Sequence, residues 1–317
     1  MIDSLRGRAP HDHLIRIGSS LGDAEAFGHD LQLALHICYE LHYRGFAGVD
    51  PRWEWDPELL HLRGRMEEIF LNAMRDEVGQ ISPGHTAAEE MDLLSTEPVD
   101  ATGATFHLRD TGSWDQMREY FVHRSLYHLK EGDPHAWVIP RLTGQAKASF
   151  VAVEYDEYGA GRGMRLHQKL FGDLLDAAGL DSTYLGYIDV VVGESLAVVN
   201  LMSMLGLHRS LRGSAIGHFA ATEITSPPGS RRLVAALKRI GAPDPCVHFY
   251  AEHVEADAVH EQVVRSGVVD DLLAREPGLD RDVVFGMRAF GVVEDRLADH
   301  IMNSWTIGQS SLLRPLP

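Results

Sequence analysis

Apolar residues recur at intervals of three and four along most of the chain, the spacing that lays one stripe down an α-helix. The pattern predicts amphipathic helices over 20–45 and 57–78, then over 113–131, 140–158, 163–179, 182–206, 209–223, 229–241, 243–267 and 280–303. Glycine and proline punctuate them at GDP (132–134), SPPGS (226–230) and GAPDP (241–245), where helix ends are expected. The loop GFAGVDPRWEWDP after the first helix carries Trp53 and Trp55 as packing residues, and 79–113 reads as a polar connection. No period-two alternation of useful length occurs. The expectation is an all-α fold: a helical amino-terminal extension over 1–112 and a helical bundle over 113–317.

The most apolar stretch, VVVGESLAVVNLMSMLGL at 190–207, is interrupted by Glu194, Ser195 and Asn200, so it predicts a buried helix rather than a membrane span. The amino terminus lacks the apolar core of a secretory leader, and the two cysteines, Cys38 and Cys246, make neither a disulfide framework nor a thiolate zinc site. A cytoplasmic location is expected. The 29 Lys and Arg against 46 Asp and Glu give a net charge of -17, with no basic tract suited to a phosphate backbone, so nucleic acid and membrane are not expected partners.

Eighteen histidines are many for 317 residues. His11, His13, His29, His61 and His85 stand in polar contexts, but HFYAEHVEADAVHE (248–261) sets His253, Asp257 and His260 at intervals of four and three, on one face of two helical turns. Imidazoles with a carboxylate suit iron, manganese or zinc, and the mixed nitrogen and oxygen set favours iron or manganese. Glu223 follows the small apolar run Phe219 to Ala221 and precedes Pro-Pro. Glu157 and His167 flank Gly159, Gly161 and Gly163; ten residues apart, they would lie about 80° out of line on an unbroken helix, so a break there would be needed to join them. Each feature also has a plain structural reading: a polar helix face, a solvated carboxylate, a loop. Glu194 lies on an apolar segment, where a buried carboxylate needs a partner; Glu154 and Glu119 read as carboxylates on solvated helix faces, and His123 and His128 with Tyr120 and Tyr127 could line a pocket.

Taken in order, Glu157, the glycine-rich EYGAG segment, His167, Glu223 and His253-x3-Asp257-x2-His260 resemble the haem-oxygenase-like diiron oxidase and oxygenase superfamily, the iron-containing redox enzymes, over about residues 113–305. The resemblance implies a seven-helix bundle that holds two Fe(II) ions per chain without haem. Its six ligands would be Glu157, His167, Glu223, His253, Asp257 and His260; Glu154 and Glu194 are candidates for carboxylates around them. It further implies reaction with dioxygen through a peroxo-diferric species, a small-molecule substrate, an external electron donor and a homodimer. The EYGAG…His pattern with a helical extension looks most like the amine N-oxygenating members. Oxidative carbon–carbon cleavage or desaturation of an amino acid or fatty acid is the alternative, for which Arg162 and Arg165 could stand at a channel mouth. Two readings of other classes are a zinc hydrolase and a metal-free helical binding protein.

Overall fold

The computed structural model describes residues 1–7, 18, 21–98 and 100–316, apart from the side chains of residues 23 and 255–259. Its longer helices are α1 (His29–Glu40), α2 (Pro57–Val78), α3 (Ala87–Leu94), α4 (Ala104–Asp110), α5 (Trp114–His128), α6 (Gly144–Glu157), α7 (His167–Ala177), α8 (Gly193–Leu207), α9 (Arg212–Ile240), α10 (Asp244–Gln262) and α11 (Asp280–Thr306). Among the described residues there is no strand, and the fold is all-α. No helix of the described residues is long and apolar enough to cross a membrane.

Local chemistry explains many of the ends. Asp56 accepts from the Leu59 N–H at 2.9 Å, Pro57 occupies the first turn and Gly79, at φ 68°, stops α2, so the helix matches its predicted span. Thr86 with Glu89 and Ser113 with Gln116 form capping boxes that start α3 and α5. The polar stretch 79–113 is therefore more than a connection: α3 and α4 lie within it, too short to show a clear stripe. The first predicted helix shortens to 29–40, and the apolar residues 182–192 are turns rather than helix. Val191 and Val192 are buried there without helical geometry, because tertiary packing covers them.

The largest departure is at SPPGS. Instead of ending there, α9 continues through Pro227 and Pro228 to Ile240. Each proline removes an N–H from the ladder, at about 3 kcal/mol or more. Burial of Ile224, Leu233 and Leu237 on either side of the prolines, at about 1.5–3 kcal/mol per side chain, offsets that loss.

α9 and α11 touch backbone to backbone. A Cβ on Gly217 would fall 1.9 Å from the Val283 carbonyl oxygen, and one on Gly286 would fall 1.9 Å from that of Ser214. Only glycine permits this crossing, which fixes α9 on one side of the site. The amino-terminal helices share the same core. Asn200 on α8 donates to the Gln32 carbonyl at 2.7 Å and to its side chain at 2.8 Å, while Lys130 and Glu40 form an ion pair at 2.9 Å with both side chains fully buried.

After Gln262 the α10 helix widens into a π-helical stretch, Val263–Asp270, packed on α6 at Gly267 and Ser149. Such widening is frequent beside functional sites, and here it follows His260 directly.

Candidate metal centre

Four helices and one turn converge on a cluster of acids and histidines. α6 ends at Glu157, and the chain then turns through Gly159 (φ 67°), Ala160 (φ 52°) and Gly161 (φ 75°) before α7 begins at His167. A Cβ on Gly159 would lie 2.6 Å from the Arg165 carbonyl carbon, so the loop folds tightly on itself. This break returns His167 to Glu157, with His167 Nδ1 2.7 Å from Glu157 Oε2 but without hydrogen-bond alignment.

Two groups result, each with ligand atoms within 4.8 Å of one another: Glu131, Glu157, His167 and His253 in one, Glu157, Glu223 and His260 in the other. Glu157 is common to both, its Oε2 beside His167 and its Oε1 4.0 Å from His260 Nδ1. His260 Nδ1 also lies 3.2 Å from Glu223 Oε2. None of these six residues is more than 7% exposed. Five of them are sequence-predicted. The sixth predicted residue, Asp257, belongs to α10, but its side chain lies outside the described residues.

The neighbours fix ring orientation. His253 Nδ1 donates to the Phe249 carbonyl at 2.8 Å, which turns Nε2 towards Glu131 Oε1 at 3.5 Å. His260 Nε2 donates to Asp156 Oδ2 at 3.1 Å, leaving Nδ1 to face Glu223 and Glu157. Hydrogen bonds of this kind select the tautomer that presents a lone pair to a metal. His128 Nδ1 donates to Glu131 Oε1 at 2.8 Å.

Electrostatics follow the same geometry. Burial alone would raise the Glu131 carboxyl, but His128 and His253 hold it well below the usual range. His167, which burial would lower, is raised by the Glu157 carboxylate. Glu154 is pushed well above the usual range by burial and by Glu157 and Glu223, and both its oxygens lack a hydrogen-bond partner. Tyr127 is likewise raised by burial and by Glu131, so it stays a neutral phenol.

The donor set fits a pair of hard or borderline cations. Glu131 Oε2 is buried without a partner, a state that costs free energy unless something satisfies it. Carboxylates and neutral imidazoles in this ratio suit iron or manganese, and a carboxylate shared between two groups is the arrangement that bridges two ions.

Other predicted residues lie elsewhere. Glu194 is in the first turn of α8, part-exposed and 3.9 Å from His300 Nδ1, because the helix begins at Gly193 and leaves the carboxylate at a solvated amino terminus. It belongs to a surface cleft with His29 and Arg296 rather than to the cluster. Glu119 is not a solvated residue: it accepts from Trp305 Nε1 and from the Ser311 N–H and hydroxyl, tying down the carboxy-terminal segment. His123 is bonded on both nitrogens, to Ser195 and Ser311. His128, Tyr120 and Tyr127 do line a cavity. Sequence reasoning missed Glu131 and Asp156. The one available signal for Glu131 is its place three residues after His128, just before the GDP turn.

That cavity has a volume of about 380 Å³ and runs from α4 and α11 inwards to Glu131 and His253. Its wall includes His218, whose Nε2 is buried without a partner and whose pKa burial pushes down to about 3. His218 Nδ1 lies 3.4 Å from His135 Nε2.

A family described as iron-containing redox enzyme matches residues 118–293. Over 239 residues the chain is 25% identical to a nitrosourea synthase of Streptomyces achromogenes subsp. streptozoticus, a match that covers 73% of this chain. The chain spans about half the length of that curated relative, with 50% of it covered.

Proposed function

Because the chain belongs to the iron-containing redox enzyme family, an oxidoreductase family, we propose that it is a non-haem diiron oxygenase that N-oxygenates an amine of a small substrate. The observation that carries this reading is the pair of buried carboxylate and histidine groups joined by Glu157. Glu131, Glu157, His167 and His253 would hold one iron; Glu157, Glu223 and His260, with Asp257, would hold the other. When bound, the two irons supply the binding and reductive activation of dioxygen.

The chain's own residues supply position and charge. Phe249 and Asp156 hold the rings of His253 and His260 in the orientations just described, so that Nε2 of one and Nδ1 of the other would face the iron pair. The cavity brings a substrate to the Glu131 and His253 side of the centre, and His218 Nε2 offers it a neutral hydrogen-bonding partner.

Charge in the cavity favours a cation. Its two arginines are already neutralised, Arg124 by a two-point pair with Glu294 at 2.7 and 2.6 Å and Arg232 by Glu97. Asp295 remains, its carboxyl raised by burial and by the nearby Asp299 and Glu294. An ammonium or amidine would relieve that crowding; a fatty-acid carboxylate would add to it. The name of the relative, a synthase of a nitrosourea, supports oxidation at nitrogen.

Anaerobic titration of the metal-free chain with Fe(II), followed by mixing with oxygenated buffer and a panel of amines, tests the proposal. About two irons per chain and amine-dependent oxygen uptake with hydroxylated nitrogen in the product are expected. Failure to bind iron above background would refute it.

A further inference from the structure

The GDP turn (132–134) between α5 and α6 reads in the sequence as a helix stop, yet its residues are built into the frame of the metal centre. Gly132 has φ 85°, which favours glycine, and a Cβ there would come within 3.2 Å of Glu154 Oε2 and 3.3 Å of the Tyr158 ring. Pro134 lies in the first turn of a short helix, Asp133–Ala136. Between them, Asp133 accepts two hydrogen bonds on one oxygen. The Tyr158 hydroxyl and Gln168 Nε2 each donate to Asp133 Oδ1 at 3.1 Å.

Both donors are chain neighbours of metal-facing residues. Tyr158 follows Glu157, Gln168 follows His167, and Asp133 itself stands two residues after Glu131. Gln168 Nε2 also donates to the Glu131 carbonyl at 3.0 Å. Arg44 Nη2 donates to Gln168 Oε1 at 2.7 Å, which fixes the amide so that its N–H groups serve Glu131 and Asp133. The Arg44 guanidinium is placed in turn by the Tyr184 ring, 4.1 Å away, and by the Leu129 carbonyl at 3.3 Å. None of these bonds uses a ligand atom of Glu131, Glu157 or His167, so a bound ion leaves all of them in place.

We propose that Asp133 is a positioning residue for the first metal group: by gathering Tyr158 and Gln168 on one oxygen it sets the separation of Glu131, Glu157 and His167. The proposal rests on the oxygenase reading and deepens it, since it concerns the iron that this group would hold. Two carboxylates that meet at one ion repel each other before it arrives, and a frame that holds their backbones lowers the reorganisation that binding requires. Groups that orient metal ligands change metal affinity by about 10–100-fold. The second group, with Glu223 on α9 and His260 on α10, shares only Glu157 with this frame and should depend on it less.

The test is anaerobic Fe(II) binding to the full chain under chelator competition, which resolves the two irons. Asp133→Ala should weaken one iron by about tenfold or more and the other by less than about threefold. Asp133→Asn keeps an acceptor at Oδ1 and loses little at Oδ2, which is 3.9 Å from Arg44 Nη2, so it should bring the weakened iron back to within about threefold of wild type. Tyr158→Phe removes one donor and nothing else; it should weaken the same iron by a smaller factor with an unchanged circular dichroism spectrum, and it decides the matter if Asp133→Ala does not fold. In a Glu131→Gln chain, where that iron is already lost, Tyr158→Phe should leave the remaining affinity as it is. Equal weakening of both irons, an Asp133→Asn chain as impaired as Asp133→Ala, or wild-type affinities in Asp133→Ala and Tyr158→Phe would overturn the proposal alone. A wild type that takes up no iron would overturn the oxygenase reading and this role with it.

Discussion

Replacing Lys130 by methionine removes the positive partner of Glu40 at a place where both side chains are fully buried. Glu40 is then a carboxylate in the interior, and breaking a buried pair from one side costs about 3–5 kcal/mol. Two donors remain to it, the Tyr184 hydroxyl at 2.6 Å and the Arg44 N–H at 3.3 Å, which places the expected loss near the lower end, about 3 kcal/mol. The Tyr43 ring, 4.3 Å from Lys130 Nζ, loses a cation and keeps its packing. For a chain of this length that loss lowers Tm by roughly 4–5 °C. Urea unfolding of the metal-free protein, followed by circular dichroism, measures it. Glu40→Met combined with Lys130→Met should recover most of the stability, since an apolar pair of similar volume needs no compensation. Lys130 directly precedes Glu131, so the single variant should also weaken iron uptake, and the double variant should restore it. A single variant within about 0.5 kcal/mol of wild type would refute the reasoning that this pair is what joins α1 to the Glu131 turn.

Glu131→Gln removes one charged oxygen pair from the first metal group and leaves the second intact; iron analysis should fall from about two towards one per chain with an unchanged circular dichroism spectrum. Asp156→Asn weakens the acceptor of His260 Nε2, and competition with a chelator should show iron affinity reduced about tenfold or more at the His260 group. Glu154 has a folded pKa raised above its unfolded value, so it binds its proton more tightly in the folded state. Its contribution is fully present below the unfolded pKa of about 4.3 and is lost as pH rises through the folded value. The metal-free protein should therefore lose Tm as pH rises above about 4.3, and Glu154→Gln should flatten that slope; an unchanged slope would contradict the assignment. Gly217→Ala drives a methyl into the Val283 carbonyl and should cost about 1–3 kcal/mol or more in urea unfolding, where a surface Gly→Ala change in a helix would stabilise.

Part of this was legible from residue types alone. The family followed from a strict order of six residues whose spacing carries chemistry, and the ends of α2 followed from Asp56, Pro57 and Gly79, whose effects are local. α3 was missed: its eight residues are too few for a clear apolar period, and only the capping box of Thr86 and Glu89 marks its start. The Pro-Pro pair misled because propensity acts within a turn, whereas the burial that keeps α9 continuous is contributed by partners far along the chain. Glu194 departs from its buried reading for the opposite reason: its apolar neighbours are buried, but a helix start at Gly193 leaves it part-exposed beside His300.

The sequence by itself determined the helical class, the glycine-rich break between Glu157 and His167 and the stripe that carries His253 and His260, because each depends on spacings within a few turns of backbone. Only the tertiary structure decided that Glu131 joins the cluster, that Asp156 orients His260 and that Glu157 is shared by two groups. These are meetings between residues 26 to 122 positions apart, from Glu131 to Glu157 and to His253. No local pattern encodes them; they exist because α9 and α11 cross at Gly217 and Gly286 and because the loop after Glu157 folds back on itself.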